Sequence, residues 1–150
     1  MIEIKPEPWE VAKDSCEELV TKNYDEISVE PERIPLDVDW WRYGELSRRG
    51  ELICVIAREN GKLVAYSLYF LSHPIHFKST LVGVNDVLYI DPAYRGEGLG
   101  QAMIRFGEEA CFQAGAIMVR MHAKYKNELI PLLRKMGYKD MEMSLYKMRE

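Results

Sequence analysis

The chain has 150 residues, 47% of them hydrophobic and 29% charged, with a formal net charge of −4. This is the length of one domain that buries about two-thirds of its unfolded surface, and the acidic balance weighs against a general nucleic-acid binder. No stretch approaches the ~18 consecutive apolar residues of a membrane-spanning helix, so no membrane association is expected.

The start, Met1-Ile2-Glu3-Ile4-Lys5-Pro6, lacks the apolar core and small-residue cleavage site of a signal peptide, which predicts a cytoplasmic protein. Ile2 and Ile4 alternate with Glu3 and Lys5, a short strand signal. Pro8 suits a helix start, and Val11, Cys16, Leu19, Val20 and Tyr24 follow at roughly helical spacing. Residues 25–38 contain Pro31 and Pro35 and read as a loop. Asp37 or Asp39 can cap a second helix through Trp40, Trp41, Tyr43, Leu46 and Arg49, ended by Gly50.

The rhythm then changes. Leu52–Arg58 and Leu63–Leu71 are apolar strands around the Asn60-Gly61 hairpin signal. A loop with His73, Pro74 and His76 leads to a third strand, Thr80–Ile90, stopped by Asp91-Pro92. Leu99, Met103, Ile104, Phe106, Ala110 and Cys111 form a helical stripe between Gly98 and Gly115. Ile117–Met121 reads as a short buried strand, Asn127 can cap a helix through Met136, and Met141–Met148 reads as a closing strand.

No repeat or linker divides the chain, so residues 1–150 form a single domain. The order β-α-α-β-β-β-α-β-α-β predicts an α/β fold with a central mixed sheet and helices on both faces. Charge is unevenly placed: residues 1–45 hold thirteen acids against five bases, and residues 120–150 hold eight bases against four acids. Such halves are either solvated faces or an acidic region near a cationic acceptor and a basic one near an anionic ligand. Cys16, Cys54 and Cys111 are odd in number and contain no C-x-x-C pair. They fit buried thiols in a reducing compartment, not a disulfide framework, and no metal site is expected.

Chemistry concentrates in Val87-Leu88-Tyr89-Ile90-Asp91-Pro92-Ala93-Tyr94-Arg95-Gly96-Glu97-Gly98-Leu99-Gly100-Gln101, a strand, turn, glycine loop and helix start. Glycines let the backbone approach an anion, and the helix end presents free N–H groups and about half a positive charge. A Walker-type loop needs Lys and Ser or Thr after the last glycine, and neither is present. A dinucleotide fingerprint needs a third glycine where Gln101 stands and an acid about 20 residues on, which Met118–Met121 does not offer.

Arg95, Gly98 and Gly100 do satisfy the pattern Arg or Gln, two residues, Gly, one residue, Gly or Ala. With the lead-in Ile90-Asp91-Pro92-Ala93-Tyr94 and the downstream run Leu132-Leu133-Arg134-Lys135-Met136-Gly137-Tyr138, the chain resembles the GNAT superfamily of acetyl-CoA-dependent N-acetyltransferases from about residue 50 onward. The acidic N-terminal third and the His73-Pro74-Ile75-His76 loop are also similar to small phage-encoded members, which implies a bacterial or phage-infected host cell.

The resemblance implies a mostly antiparallel mixed sheet of about six to seven strands with about four helices. It implies acetyl-CoA as co-substrate and no metal, with transfer of an acetyl group to a small-molecule or protein amine. The pantetheine arm would pair with Leu88, Tyr89 and Ile90, and the loop Arg95, Gly96, Glu97, Gly98, Leu99, Gly100 and Gln101 would hold the pyrophosphate. An N–H near Ile90 would polarise the thioester carbonyl. Asn127 lies one residue out of register with a CoA-contacting asparagine and is either that contact or a helix cap. A homodimer is plausible for this family.

Acyl transfer needs a base for the amine and a proton for the leaving thiolate. The family's glutamate, eleven residues before the signature Arg or Gln, corresponds to Val84 here. Asp86, two residues on and on the same strand face, is the preferred base, or else a structural carboxylate. His76, with His73, is a proton relay facing the acceptor, a structural or solvent-exposed loop residue, or a metal-linked group with Asp86 or His122, the last without any recognisable ligand spacing. The family's sulfur-protonating tyrosine maps to Leu133, leaving Tyr125, Tyr138 or solvent as substitutes. Trp40, Trp41 and Tyr43 either shape the acceptor pocket or pack in the core. The alternatives to an active enzyme are a catalytically reduced GNAT-fold module that binds CoA or a protein, and a nucleobase acceptor that the acidic balance disfavours.

Overall fold

Residues 1–125 and 127–150 are described by the computed structural model. The alternating start forms β1 (Ile2–Pro6), and α1 (Trp9–Ile27) follows with Pro8 at its N-cap rather than inside its first turn. Trp9, Ala12, Cys16 and Leu19 recur at three- and four-residue spacing and are buried. Asp39 caps α2 (Trp40–Arg48), its Oδ1 accepting from the Arg42 N–H at 2.9 Å.

The hairpin signal holds. β2 (Leu52–Glu59) and β3 (Lys62–Ser72) are joined by Asn60 and Gly61, whose φ values of 50° and 82° fit the strand-matched two-residue turn. β4 (Val82–Ile90) leads through a short 3-10 turn, Pro92–Tyr94, to α3 (Leu99–Gln113), β5 (Met118–Arg120) and α4 (Leu129–Lys135). The strands form one sheet in the order β1-β2-β3-β4-β5, antiparallel except for the parallel β4–β5 pair.

Both faces of this sheet are covered, which is why β2 and β3 read as continuous apolar runs. On one face Trp9, Cys16 and Leu19 of α1 pack against Ile56, Tyr66, Leu68 and Tyr89, with Trp40 and Tyr43 of α2 alongside. On the other, Leu99 and Met103 of α3 meet Val55, Val64 and Ala65, while Cys111 meets Tyr69 and Leu71. All three cysteines are buried and free. Among the described residues no helix is long and apolar enough to cross a membrane.

Gly107 of α3 is a close-packing position, since a Cβ there would lie 2.3 Å from the buried Tyr69 ring. Gly107→Ala gains helix propensity worth about 1 kcal/mol but overpacks a rigid ring at about 1–3 kcal/mol. A net loss is expected, read by calorimetry as a melting temperature lower by about 5 °C. An unchanged or raised melting temperature would mean that α3 can lift off Tyr69 freely.

Among the described residues the sheet has five strands, fewer than the six to seven expected. Met141–Met148 forms no strand, and Met141, Met143, Leu145 and Tyr146 are exposed. Alternation specifies a strand only where a neighbouring edge takes up its main-chain groups. The C-terminal residues instead reach positions 30 and 33: Tyr146 Oη lies 3.5 Å from Glu30, and Arg33 donates to the Arg149 carbonyl just beyond the segment.

Candidate functional site

β4 is where the sheet opens. It pairs with β5 only from Val82 to Val84, opposite Met118 to Arg120, while its pairing with β3 continues to Ile90. From Asn85 to Ile90 one edge of β4 therefore has no strand partner among the described residues. An extended ligand arm can add there as a further strand.

The register breaks inside this open stretch. Leu68 pairs with Val87 and Tyr69 with Asn85, so Asp86 is skipped and forms a β-bulge. A bulge re-aims one side chain, and here it turns the Asp86 carboxylate to the α2 side, where Oδ2 accepts from the Tyr43 hydroxyl. Tyr43 is held by rings on two sides, Trp9 at 4.9 Å and Phe70 at 6.1 Å between centroids. Neighbouring protein desolvates Asp86 and raises its pKa above the ordinary carboxylate value; the Tyr43 hydrogen bond and the nearby His122 oppose that shift. Burial, followed by the Asp86 charge, pushes the Tyr43 phenol far above its usual range, so the proton between them stays on Tyr43.

Beyond Ile90 the chain turns sharply. Asp91 Oδ1 accepts from the Ala93 N–H at 3.0 Å, and Gly96 and Gly98 adopt φ of 92° and 84°. An added Cβ at either glycine meets nothing within 4 Å, so left-handed backbone, not crowding, is what requires glycine. Gly98 is the N-cap of α3 and supplies no side-chain cap, leaving the first-turn N–H groups facing the loop. Gly100 sits closer in, with a Cβ position 3.3 Å from Ile90 Cδ1.

Arg95 is engaged within the protein. Its Nε donates to the Ile90 carbonyl at 2.8 Å, both terminal nitrogens reach the Glu26 carboxylate at 2.7 Å, and the guanidinium stands 5.6 Å above the Tyr89 ring. Lys22 lies 3.7 Å from Asp91. The last turns of α1 are thus fastened over the end of β4. Glu26 was not distinguishable in sequence from the other acids of its region, because the pairing spans 69 positions.

The remaining candidates sit on other segments. His76 is exposed in the loop before Val82 and stands edge-on to Phe77 at 6.5 Å, and Tyr125 is also exposed. Among the described residues neither makes a hydrogen bond to Asp86. Asn127 Oδ1 accepts from the Leu129 N–H at 3.0 Å, one residue ahead of Glu128, which stands at the N-cap of α4. Leu133 is buried and Tyr138 half-buried. Trp40 stacks on Trp9 at 5.9 Å, whereas Trp41 faces out. His122, just after β5, and Tyr43, on α2, are the neighbours of Asp86.

The fold recurs in solved structures. An acetyltransferase from Trypanosoma brucei is 22% identical with a TM-score of 0.74, over 99% of this chain and 100% of that one. Glucosamine-6-phosphate N-acetyltransferase from Arabidopsis thaliana is 16% identical, TM-score 0.74, over 100% and 99% of the two chains. A predicted acetyltransferase from Clostridium acetobutylicum, solved with acetyl-CoA, is 16% identical, TM-score 0.74, over 98% and 96%. At these identities the likeness shows the fold alone. A comparison with curated proteins finds no sequence match. In the comparison with protein families, residues 13–138 match the Acetyltransferase (GNAT) family. That match takes in most of α1, the bulged and half-released β4, the glycine turn and α4 together, and this chain belongs to the GNAT family of acetyltransferases.

Proposed function

We propose that the chain moves an acetyl group from acetyl-CoA to a primary amine by direct attack on the thioester. The observation that carries this reading is the bulge, which sets the Asp86 carboxylate, held by the Tyr43 hydroxyl, on the open stretch of β4 that leads into the glycine turn. The residues fit the co-substrate: Leu88, Tyr89 and Ile90 offer main-chain groups to a pantetheine arm. The N–H groups of Gly96, Glu97, Gly98, Leu99, Gly100 and Gln101 surround a pyrophosphate position. Arg95 serves this loop by pinning it to Ile90 and Glu26.

Bound acetyl-CoA supplies an activated acyl carbon and a thiolate leaving group. Asp86, deprotonated, takes the proton from the attacking amine directly or through water, so that nitrogen forms its bond to the carbonyl carbon as the C–S bond breaks. Main-chain N–H of the open β4 edge stabilises the charge developing on the carbonyl oxygen. The thiolate takes its proton from solvent, since Leu133, at the position of the family's sulfur-protonating tyrosine, has no proton to give.

The test is release of free CoA thiol from acetyl-CoA with a panel of lysine peptides, polyamines, amino sugars and aminoglycosides. At least one amine should accelerate release above the no-amine blank. CoA binding without acceleration by any amine would favour a module that binds CoA without turnover, and absence of CoA binding would overturn the reading entirely.

Glu26 adds a prediction at the same loop. Its carboxylate lies against Arg95 and opposes an anion arriving at the glycine turn. Glu26→Gln should therefore tighten CoA binding about threefold at low salt, the scale of an exposed ion pair, with the gain fading at high salt. Titration calorimetry at two ionic strengths decides it, and weaker binding in the variant would show that the pair organises the loop instead.

A further inference from the structure

We infer that Ser67 and Asn85 form a buried polar lock that holds the β4 bulge in place and so aims Asp86. The inference rests on the proposed acyl transfer for its catalytic consequence but not for its geometry. Ser67 is 0% and Asn85 3% exposed. A polar side chain in that position destabilises a core unless its hydrogen bonds are met.

Here they are met by the groups a bulge disturbs. Asn85 Nδ2 donates to the Leu68 carbonyl at 3.1 Å and also lies 3.0 Å from Ser67 Oγ and 3.1 Å from the Val87 carbonyl. Ser67 Oγ donates to the same Val87 carbonyl at 3.0 Å. Leu68 and Val87 are the paired residues that border the skipped position. The amide and the hydroxyl thus stand in for ladder hydrogen bonds that the extra residue interrupts.

The position of the lock matters as much as its bonds. Pairing to β5 ends at Val84, Asn85 carries the amide, and Asp86 is the residue thrown out of register. Without the lock, β4 can relax by one residue against β3. A one-residue slip sends every side chain to the opposite face, taking Asp86 away from Tyr43 and toward α3. Ser67 and Asn85 are positioning residues, since neither faces the open edge where a thioester would lie.

The experiment compares wild type with Ser67→Ala and Asn85→Ala by three readouts: carbon NMR titration of the Asp86 carboxyl, CoA calorimetry, and kcat with KM for acetyl-CoA. We expect both variants to bind CoA within about threefold of wild type, because the glycine turn is untouched. In Asn85→Ala kcat should fall about 100-fold with little change in KM, the scale of a small misplacement of a reacting group. Ser67→Ala should lose about tenfold, and in both variants the Asp86 titration should move off its wild-type midpoint. Should Asn85→Ala fail to fold, Ser67→Ala carries the same three readouts. A wild-type Asp86 titration retained in folded variants, with kcat unchanged, would overturn the lock. The carboxyl titration needs no acceptor, so a protein that turns over no amine sinks the proposed transfer while the lock is still decided.

Discussion

Gly98→Trp is expected to abolish CoA binding, raising the dissociation constant at least ~100-fold in titration calorimetry while the protein stays folded. The residue adopts φ of 84° at the N-cap of α3, where a side chain meets no other atom within 4 Å. Space around the loop therefore lets the indole stand over the first-turn N–H groups that would receive the pyrophosphate. Left-handed backbone in a non-glycine residue costs about 1–2 kcal/mol, an amount a domain of this size tolerates. Gly98→Ala separates the two effects, since it carries the strain without the bulk. It should weaken binding only about tenfold if the strain is relieved by moving the loop. Wild-type affinity in the tryptophan variant would remove the pyrophosphate from this turn altogether.

Asp86→Asn should leave CoA affinity intact and lower turnover by about 10²–10⁴-fold, the contribution of a positioned general base. The pH profile distinguishes this from a loss of structure. A base acts when deprotonated, so wild-type kcat rises with pH through the Asp86 pKa. Because burial raises that pKa, the rise should fall above the range of an ordinary aspartate. Tyr43→Phe removes the hydrogen bond that counteracts the shift and should move the rise to still higher pH. In Asp86→Asn the rise should disappear. Linkage gives an opposite sign for stability: a carboxyl whose folded pKa is raised binds its proton more tightly in the folded state. It contributes stability only as pH falls through the window between the folded and unfolded values. Asp86→Asn is accordingly expected to melt no lower than wild type at neutral pH. A profile in the variant that matches wild type would assign the base to another group.

The two expectations stand differently toward the sequence. The glycine turn was legible because its information is local: Arg95, Gly98 and Gly100 lie within six consecutive positions, and backbone conformation there depends on those residues themselves. The hairpin at Asn60-Gly61, the cap at Asp39 and the apolar stripe of α3 were readable for the same reason. Asp86 was singled out by counting along β4 from the signature, though the count alone left a structural carboxylate equally open.

What sets Asp86 against Tyr43 is the tertiary structure. The bulge that turns it toward Tyr43 exists only in the register between β3 and β4, and its lock joins positions 67 and 85. The phenol facing it comes from α2, 43 positions away, and Glu26 meets Arg95 across 69. Desolvation, which sets the Asp86 pKa, is a property of packed neighbours and has no counterpart in a string of residues. The closing strand shows the converse. Met141–Met148 alternates as a strand should, yet forms none, because alternation names a face and only a partner edge makes a sheet. The sequence by itself determined the helices, the hairpin and the glycine turn, since each depends on contacts within a few residues. Only the tertiary structure decided which carboxylate faces the opening and what holds it there, since both depend on groups brought together from distant parts of the chain.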